Sequence, residues 1–211
     1  MDIRSQVEAI LAGPRPIPIL AAGHPALRQR ATAYDGQLGD LLPVFLSAMR
    51  ATMHAAPGVG LAAPQVGVGL AVAVAEDTAE VDEEVRRVRE RPPTAYRVLI
   101  NPAYEPIGET RTEFYEGCLS IPGWAAVRAR HHRIRLNCED ADGRNIGEDL
   151  AGWPARIVQH ETDHLAGELY LDRAELRSLS DVESMVRWWN GPSPDRAARQ
   201  LGFSLGGGAP A

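Results

Sequence analysis

Hydrophobic and polar positions change their rhythm several times along the chain. Between residues 37 and 56, Leu38, Leu42, Phe45, Met49 and Met53 recur at helical spacing, with Pro43 early enough for a first turn, and predict a core-facing helix. The stretch AAPGVGLAAPQVGVG follows, punctuated by Pro57, Gly58 and Gly60, and then the apolar run from Gly69 to Ala75 reads as a strand. Residues 76–93, EDTAEVDEEVRRVRERPP, are charged and end in prolines. They predict an acidic insertion that forms an exposed loop or short surface helix and supplies no core strand.

Strand-like runs resume at Tyr96 to Asn101 and at Arg133 to Cys138, where Ile134 and Leu136 alternate with polar residues before a turn at Asp142-Gly143. A helix is expected after Gly152-Trp153, with Pro154 at its first position and Ile157, Val158 and Leu165 on its buried side. Short strands followed by one late helix make an α+β pattern. The expected organisation is one domain over 1–180 and a C-terminal extension over 181–211, helical through Trp188 and Trp189 and disordered at the closing GGGAPA.

Composition narrows the function classes. The 211 residues are 45% hydrophobic, enough for one real core. A net charge of -6 with no long basic run argues against phosphate-neutralising binding to DNA. All 22 basic residues are arginine, which excludes Schiff-base and P-loop lysine chemistry. Two cysteines, Cys118 and Cys138, suit a reducing cytosol better than a disulfide scaffold. No basic leader precedes an apolar run, and no stretch approaches the roughly 20 apolar residues of a membrane span, so a cytoplasmic protein with no membrane partner is expected.

The segment QHETDHLAGELYLDR, Gln159 to Arg173, carries the chemistry. In a helix, His160 and His164 lie one turn apart on one face and can address the same ion, while Glu161 beside them can take a proton from a water that the ion has acidified. A catalytic site needs a third protein ligand. A histidine after Gly167 would supply one, but Tyr170 stands at that position. Glu183, with eighteen residues between it and His164, would make a gluzincin-like metallopeptidase. Cys118 would make a softer Cys plus two His set, suited to iron(II), zinc, nickel or cobalt. Cys138, inside RIRLNCED, reads as a small buried residue.

Three motifs in order, GVGLAAPQVG at 58–67, EGCLS at 116–120 and the HExxH segment, together with HPALRQRA near residue 24 and RVLINP, resemble the peptide deformylases over roughly residues 17–173. The resemblance implies an α+β fold with antiparallel strands packed around a central HExxH helix. It implies one divalent metal, natively Fe(2+) with Zn(2+), Ni(2+) or Co(2+) as substitutes, on Cys118, His160 and His164. Glu161 would be the general acid/base, with the Gln65 amide and the Leu119 backbone N–H stabilising the oxyanion. Val59, Gly60, Phe114, Gly117, Trp153 and Ile157 would bind substrate, with the Gly58–Gly60 backbone pairing to an extended peptide as an added strand.

The implied activity is removal of the N-formyl group from formyl-methionyl nascent peptides. The implied partner is the ribosome near its exit tunnel, met transiently by a monomeric enzyme. A non-catalytic relative that only binds metal or formylated peptides is a further alternative, and the pairing of Glu161 with Gln65 speaks against it. An arginine that many family members carry after EGCLS is replaced by Ala125, with Arg128 and Arg130 further on.

Overall fold

The computed structural model describes residues 2–206. Helix α1 (Ile3–Ala12) and helix α2 (Leu41–Ala55) pack together. The expected stripe of α2 is buried, with Phe45, Met49 and Met53 fully enclosed, and Leu38 is buried just before the helix begins. Strand β1 (Gly60–Ala62) is followed by a 3-10 turn, Ala63–Val66, which carries Gln65.

Strand β2 (Val72–Asp77) starts later and runs further than the apolar run predicts. That corrects the reading of residues 76–93 at its first two positions, because Glu76 and Asp77 belong to the strand. Asp77 is buried by Arg91, whose Nε and Nη2 donate to its carboxylate at 2.7 and 3.0 Å. Between them lies the short surface helix α3 (Glu83–Val88), with no buried residue.

Strands β3 (Thr94–Pro106), β4 (Arg111–Cys118), β5 (Ile121–His131), β6 (Arg133–Glu139) and β7 (Asn145–Ala151) follow. They form two antiparallel sheets, one ordered β1-β2-β3-β6-β7 and one ordered β4-β5-β8, where β8 is Ala174–Asp181. Both β1 and β4 are edge strands.

Helix α4 (Gly152–Leu165) packs against every strand of the larger sheet and against β5 of the smaller one. Its Ala155, Val158 and Leu165 join Ala62, Ala73, Leu99, Ile134, Leu136 and Cys138 in one core cluster. Pro154 is its third residue and not its first. Gly152 begins the helix at φ +61, where a β-carbon would strike Glu90 at 2.4 Å, so the chain turns into α4 only by passing Glu90 without a side chain.

After β8, helix α5 (Val182–Ser184) continues into a π-helical turn, Met185–Trp189, and helix α6 (Asp195–Leu201) closes the described chain. Met185 and Trp189 pack on Tyr115, Val127 and Ala197, which fastens this segment to the smaller sheet. The disorder expected for GGGAPA concerns residues that lie, from Gly207 on, outside the described ones.

Candidate active site

The spacing of HETDH on α4 puts His160 and His164 on one side of the helix, with ring centroids 5.0 Å apart. Cys118 ends β4, where the pairing with β5 shifts register between Gly117 and Cys118. Such an irregularity re-aims a side chain off the ladder. The Cys118 Sγ stands 3.2 Å from His164 Nε2, and ligand atoms of Cys118, His160 and His164 all lie within 4.8 Å of one another. Two imidazoles and one sulfur fit a soft or borderline divalent ion. Among the described residues this is the only such group.

A carboxylate stands behind one of the two imidazoles. Glu116 Oε2 lies 3.0 Å from His160 Nδ1, and since a carboxylate only accepts, Nδ1 carries the hydrogen and Nε2 is left toward the cluster. Glu116 is itself buried and accepts from Arg130 Nε at 2.7 Å, Arg130 Nη2 at 2.9 Å and Arg156 Nη1 at 2.5 Å. Burial works against its charge, but Arg130 outweighs it and holds the carboxyl well below the usual range. The network extends from Arg130 to Asp163 and from Arg128 to Asp163 and Glu168. Arg128 and Arg130 are therefore buried in ion pairs, which answers where these two arginines go.

Glu161 is 3% exposed, and its Oε2 has no hydrogen-bond partner. Burial pushes its carboxyl up to about 7, with His160 and Arg130 pulling the other way. Gln65 is buried opposite Cys118. Its Oε1 accepts from the Ala62 N–H at 2.8 Å, which fixes the amide so that Nε2 faces Ser120 Oγ at 3.2 Å and Cys118 Sγ at 3.6 Å.

Gln65, Glu116, Cys118, His160 and Glu161 open onto a cleft of about 710 Å³ that also takes in Leu119, Val59, Gly60, Gly117, Trp153 and Ile157, while His164 is buried outside its lining. Phe114 is a correction: it does not line this cleft but packs behind Trp153, ring centroids 6.1 Å apart. Glu183 is another. It sits exposed in α5, outside the cluster, so the gluzincin-like metallopeptidase loses its third ligand.

Residues 16–179 match the family model described as polypeptide deformylase. The chain belongs to the peptide deformylase family. Peptide deformylase 3 of Streptomyces avermitilis is 61% identical over 96% of this chain and 91% of its own length. Peptide deformylase 1 of Streptomyces coelicolor is 60% identical over 99% and 96%. Among solved structures, the Met-Ala-Ser-bound class I type b peptide deformylase of Acinetobacter baumannii superposes with a TM-score of 0.67 at 30% identity, covering 74% of this chain and 97% of that one. The actinonin complex of the Synechococcus elongatus peptide deformylase gives 0.67 at 30%, covering 92% and 91%.

The family's activity is hydrolysis of the N-formyl group of nascent polypeptides, and this chain is a hydrolase of that kind. Sequence reasoning missed several cleft residues. Arg156 had a signal, since it stands four residues before His160 on the same helical stripe. Trp124, Val182, Met185 and Val186 also line the cleft, and no periodicity or motif marks them.

Proposed function

We propose that Cys118, His160 and His164 hold one divalent metal and that Glu161, Gln65 and Leu119 carry the deformylation around it. The observation that carries this reading is the convergence of three ligand atoms within 4.8 Å beside a buried carboxylate oxygen that has no partner. A divalent ion in this set supplies Lewis acidity, polarising the formyl carbonyl and making water acidic enough to react near neutral pH.

The protein's own groups do the rest. Glu161 takes one proton from the attacking water and returns it to the amine nitrogen as the C–N bond breaks, leaving formate and a free N-terminus. Gln65 Nε2, held toward the cluster because Oε1 is occupied by Ala62, donates to the oxyanion together with the Leu119 N–H. Glu116 holds His160 in the tautomer that leaves Nε2 for the ion.

The cleft carries Gly60 of edge strand β1 and Gly117 and Cys118 of edge strand β4, so an extended peptide has strand edges to pair with. Val59, Gly117, Trp153 and Ile157 surround the methionine side chain in this reading. The substrate is a formyl-methionyl nascent peptide, met at the ribosome by a monomeric, cytoplasmic enzyme. Iron(II) is the native ion, replaceable by zinc, nickel or cobalt, as the thiolate and two imidazoles allow. The relatives above are bacterial, and no helix among the described residues is long and apolar enough to cross a membrane.

Anaerobic purification, metal quantification and formate release from formyl-Met-Ala-Ser test this. About one iron per chain, formate release, and no attack on acetyl-Met-Ala-Ser are expected. Full metal loading without formate would contradict the catalytic assignment.

A further inference from the structure

One wall of the cleft comes from beyond β8. Val182, Met185 and Val186 line it beside Trp124, and three of these four are large apolar side chains left open to solvent: Trp124 is 46%, Val182 57% and Val186 67% exposed. Apolar groups gathered at one rim of a working cleft gain most when an occupant covers them. None of the four is charged, and Arg128 and Arg130, further along β5 from Trp124, are consumed by Glu116, Asp163 and Glu168.

This wall is held in place. Trp124 pairs with Asp181 at the β5–β8 edge, and Asp181 caps the turn by accepting from the Ser184 N–H at 2.7 Å. Further along, Arg89 at the end of α3 donates from Nε to the Pro192 carbonyl at 3.0 Å and from Nη2 to the Gly191 carbonyl at 2.8 Å. Its guanidinium also lies 5.4 Å from the ring of Trp153, a cleft residue. Arg89 thus ties the segment after β2, the C-terminal segment and the cleft floor to one another. Two backbone carbonyls held by one planar fork make a directional clamp.

An extended peptide presents alternate side chains to one face, roughly 6.5–7 Å apart. If methionine fills the inner end beside Ile157, the residue two positions later faces the same way. We propose that Trp124, Val182, Met185 and Val186 form an apolar subsite for the third residue of the formylated peptide, with Arg89 as the positioning residue that holds its wall. The proposal rests on the deformylase reading of the cleft, with which the wall is continuous.

Steady-state rates on formyl-Met-Ala-Leu and formyl-Met-Ala-Ser test it. The wild-type enzyme is expected to favour the leucine peptide about tenfold in kcat/KM, expressed mainly in KM. Val182→Ser with Val186→Ser should cut that ratio at least about threefold. Arg89→Ala should do the same by raising KM for the leucine peptide. A wild-type ratio near one, or a ratio that survives the double substitution, would overturn the subsite. An equal fall in kcat for both peptides in Arg89→Ala would overturn the positioning role. No formate from either peptide with the metal-loaded wild-type enzyme would overturn the deformylase reading and this inference with it.

Discussion

A β-carbon added to Gly60 would stand 2.1 Å from Oε1 of Glu161, so strand β1 and the HExxH helix meet at a point where only glycine fits. The glycine serves the position of the carboxylate as well as the approach of a peptide. Gly60→Ala should therefore displace Glu161 and lower kcat about ten- to a hundredfold while metal content stays near that of the wild type. Gly69, where an added β-carbon meets nothing within 4 Å, is the control: Gly69→Ala should alter kcat little. Formate release and metal analysis on the two variants check both statements.

Gln65 is oriented through one hydrogen bond to the Ala62 N–H. Gln65→Ala removes the donor without touching a ligand, and turnover should fall about a hundredfold with metal retained. Gln65→Glu keeps the anchor to Ala62 but puts an acceptor where a donor is needed. It should be no better than alanine, and a near-normal rate in either variant would remove Gln65 from the oxyanion site.

Glu116, itself buried, balances Arg130, Arg156 and His160. Breaking a buried ion group leaves charge uncompensated, so Glu116→Gln should lower unfolding free energy by about 3 kcal/mol in urea titration. It should also weaken metal retention about ten- to a hundredfold in a chelator competition, because a neutral amide, free to turn its NH2 toward Nδ1, no longer holds His160 in one tautomer as the carboxylate does.

This network is also where sequence reading stopped. The late helix, the alternating strands and the grouping of Cys118, His160 and His164 were legible because each is written locally, in helical spacing, in period-two alternation, or in motifs such as EGCLS and HETDH. The pairing of Glu116 with Arg156, forty residues apart, is written nowhere locally. Arg128 and Arg130 alternate with alanine in β5 as inward-facing residues do, yet their charge suggests solvent until Asp163 and Glu168 are seen beside them. Phe114 follows from the resemblance as substrate lining, yet its ring packs edge-on against Trp153 and outside the cleft. The tail beyond Asp181 carries no repeat or periodicity that announces a cleft wall, since only the β5–β8 pairing brings it there.

Glu76 gives a pH test away from the cluster. Its carboxylate accepts from Arg50 at 2.8 and 2.6 Å and lies 2.8 Å from His54 Nε2. The hydrogen bonds from Arg50 hold it below its ordinary value of 4.5. A lowered folded value means that the contribution is present above the unfolded value and is lost as pH falls through the folded one. The urea midpoint should drop as pH goes below about 4.5, and Glu76→Gln should make that drop shallower. An unchanged acid limb would remove Glu76 from the acid-sensitive groups.

The most direct test of the account is formate release by Glu161→Gln at the same metal occupancy as the wild type, with formyl-Met-Ala-Ser as substrate. Replacing the Glu161 carboxylate by an amide that cannot carry the proton should reduce kcat at least about a thousandfold, with Cys118, His160 and His164 still holding one metal per chain. Near wild-type turnover in the metal-loaded variant would contradict the role of Glu161 and the mechanism built on it.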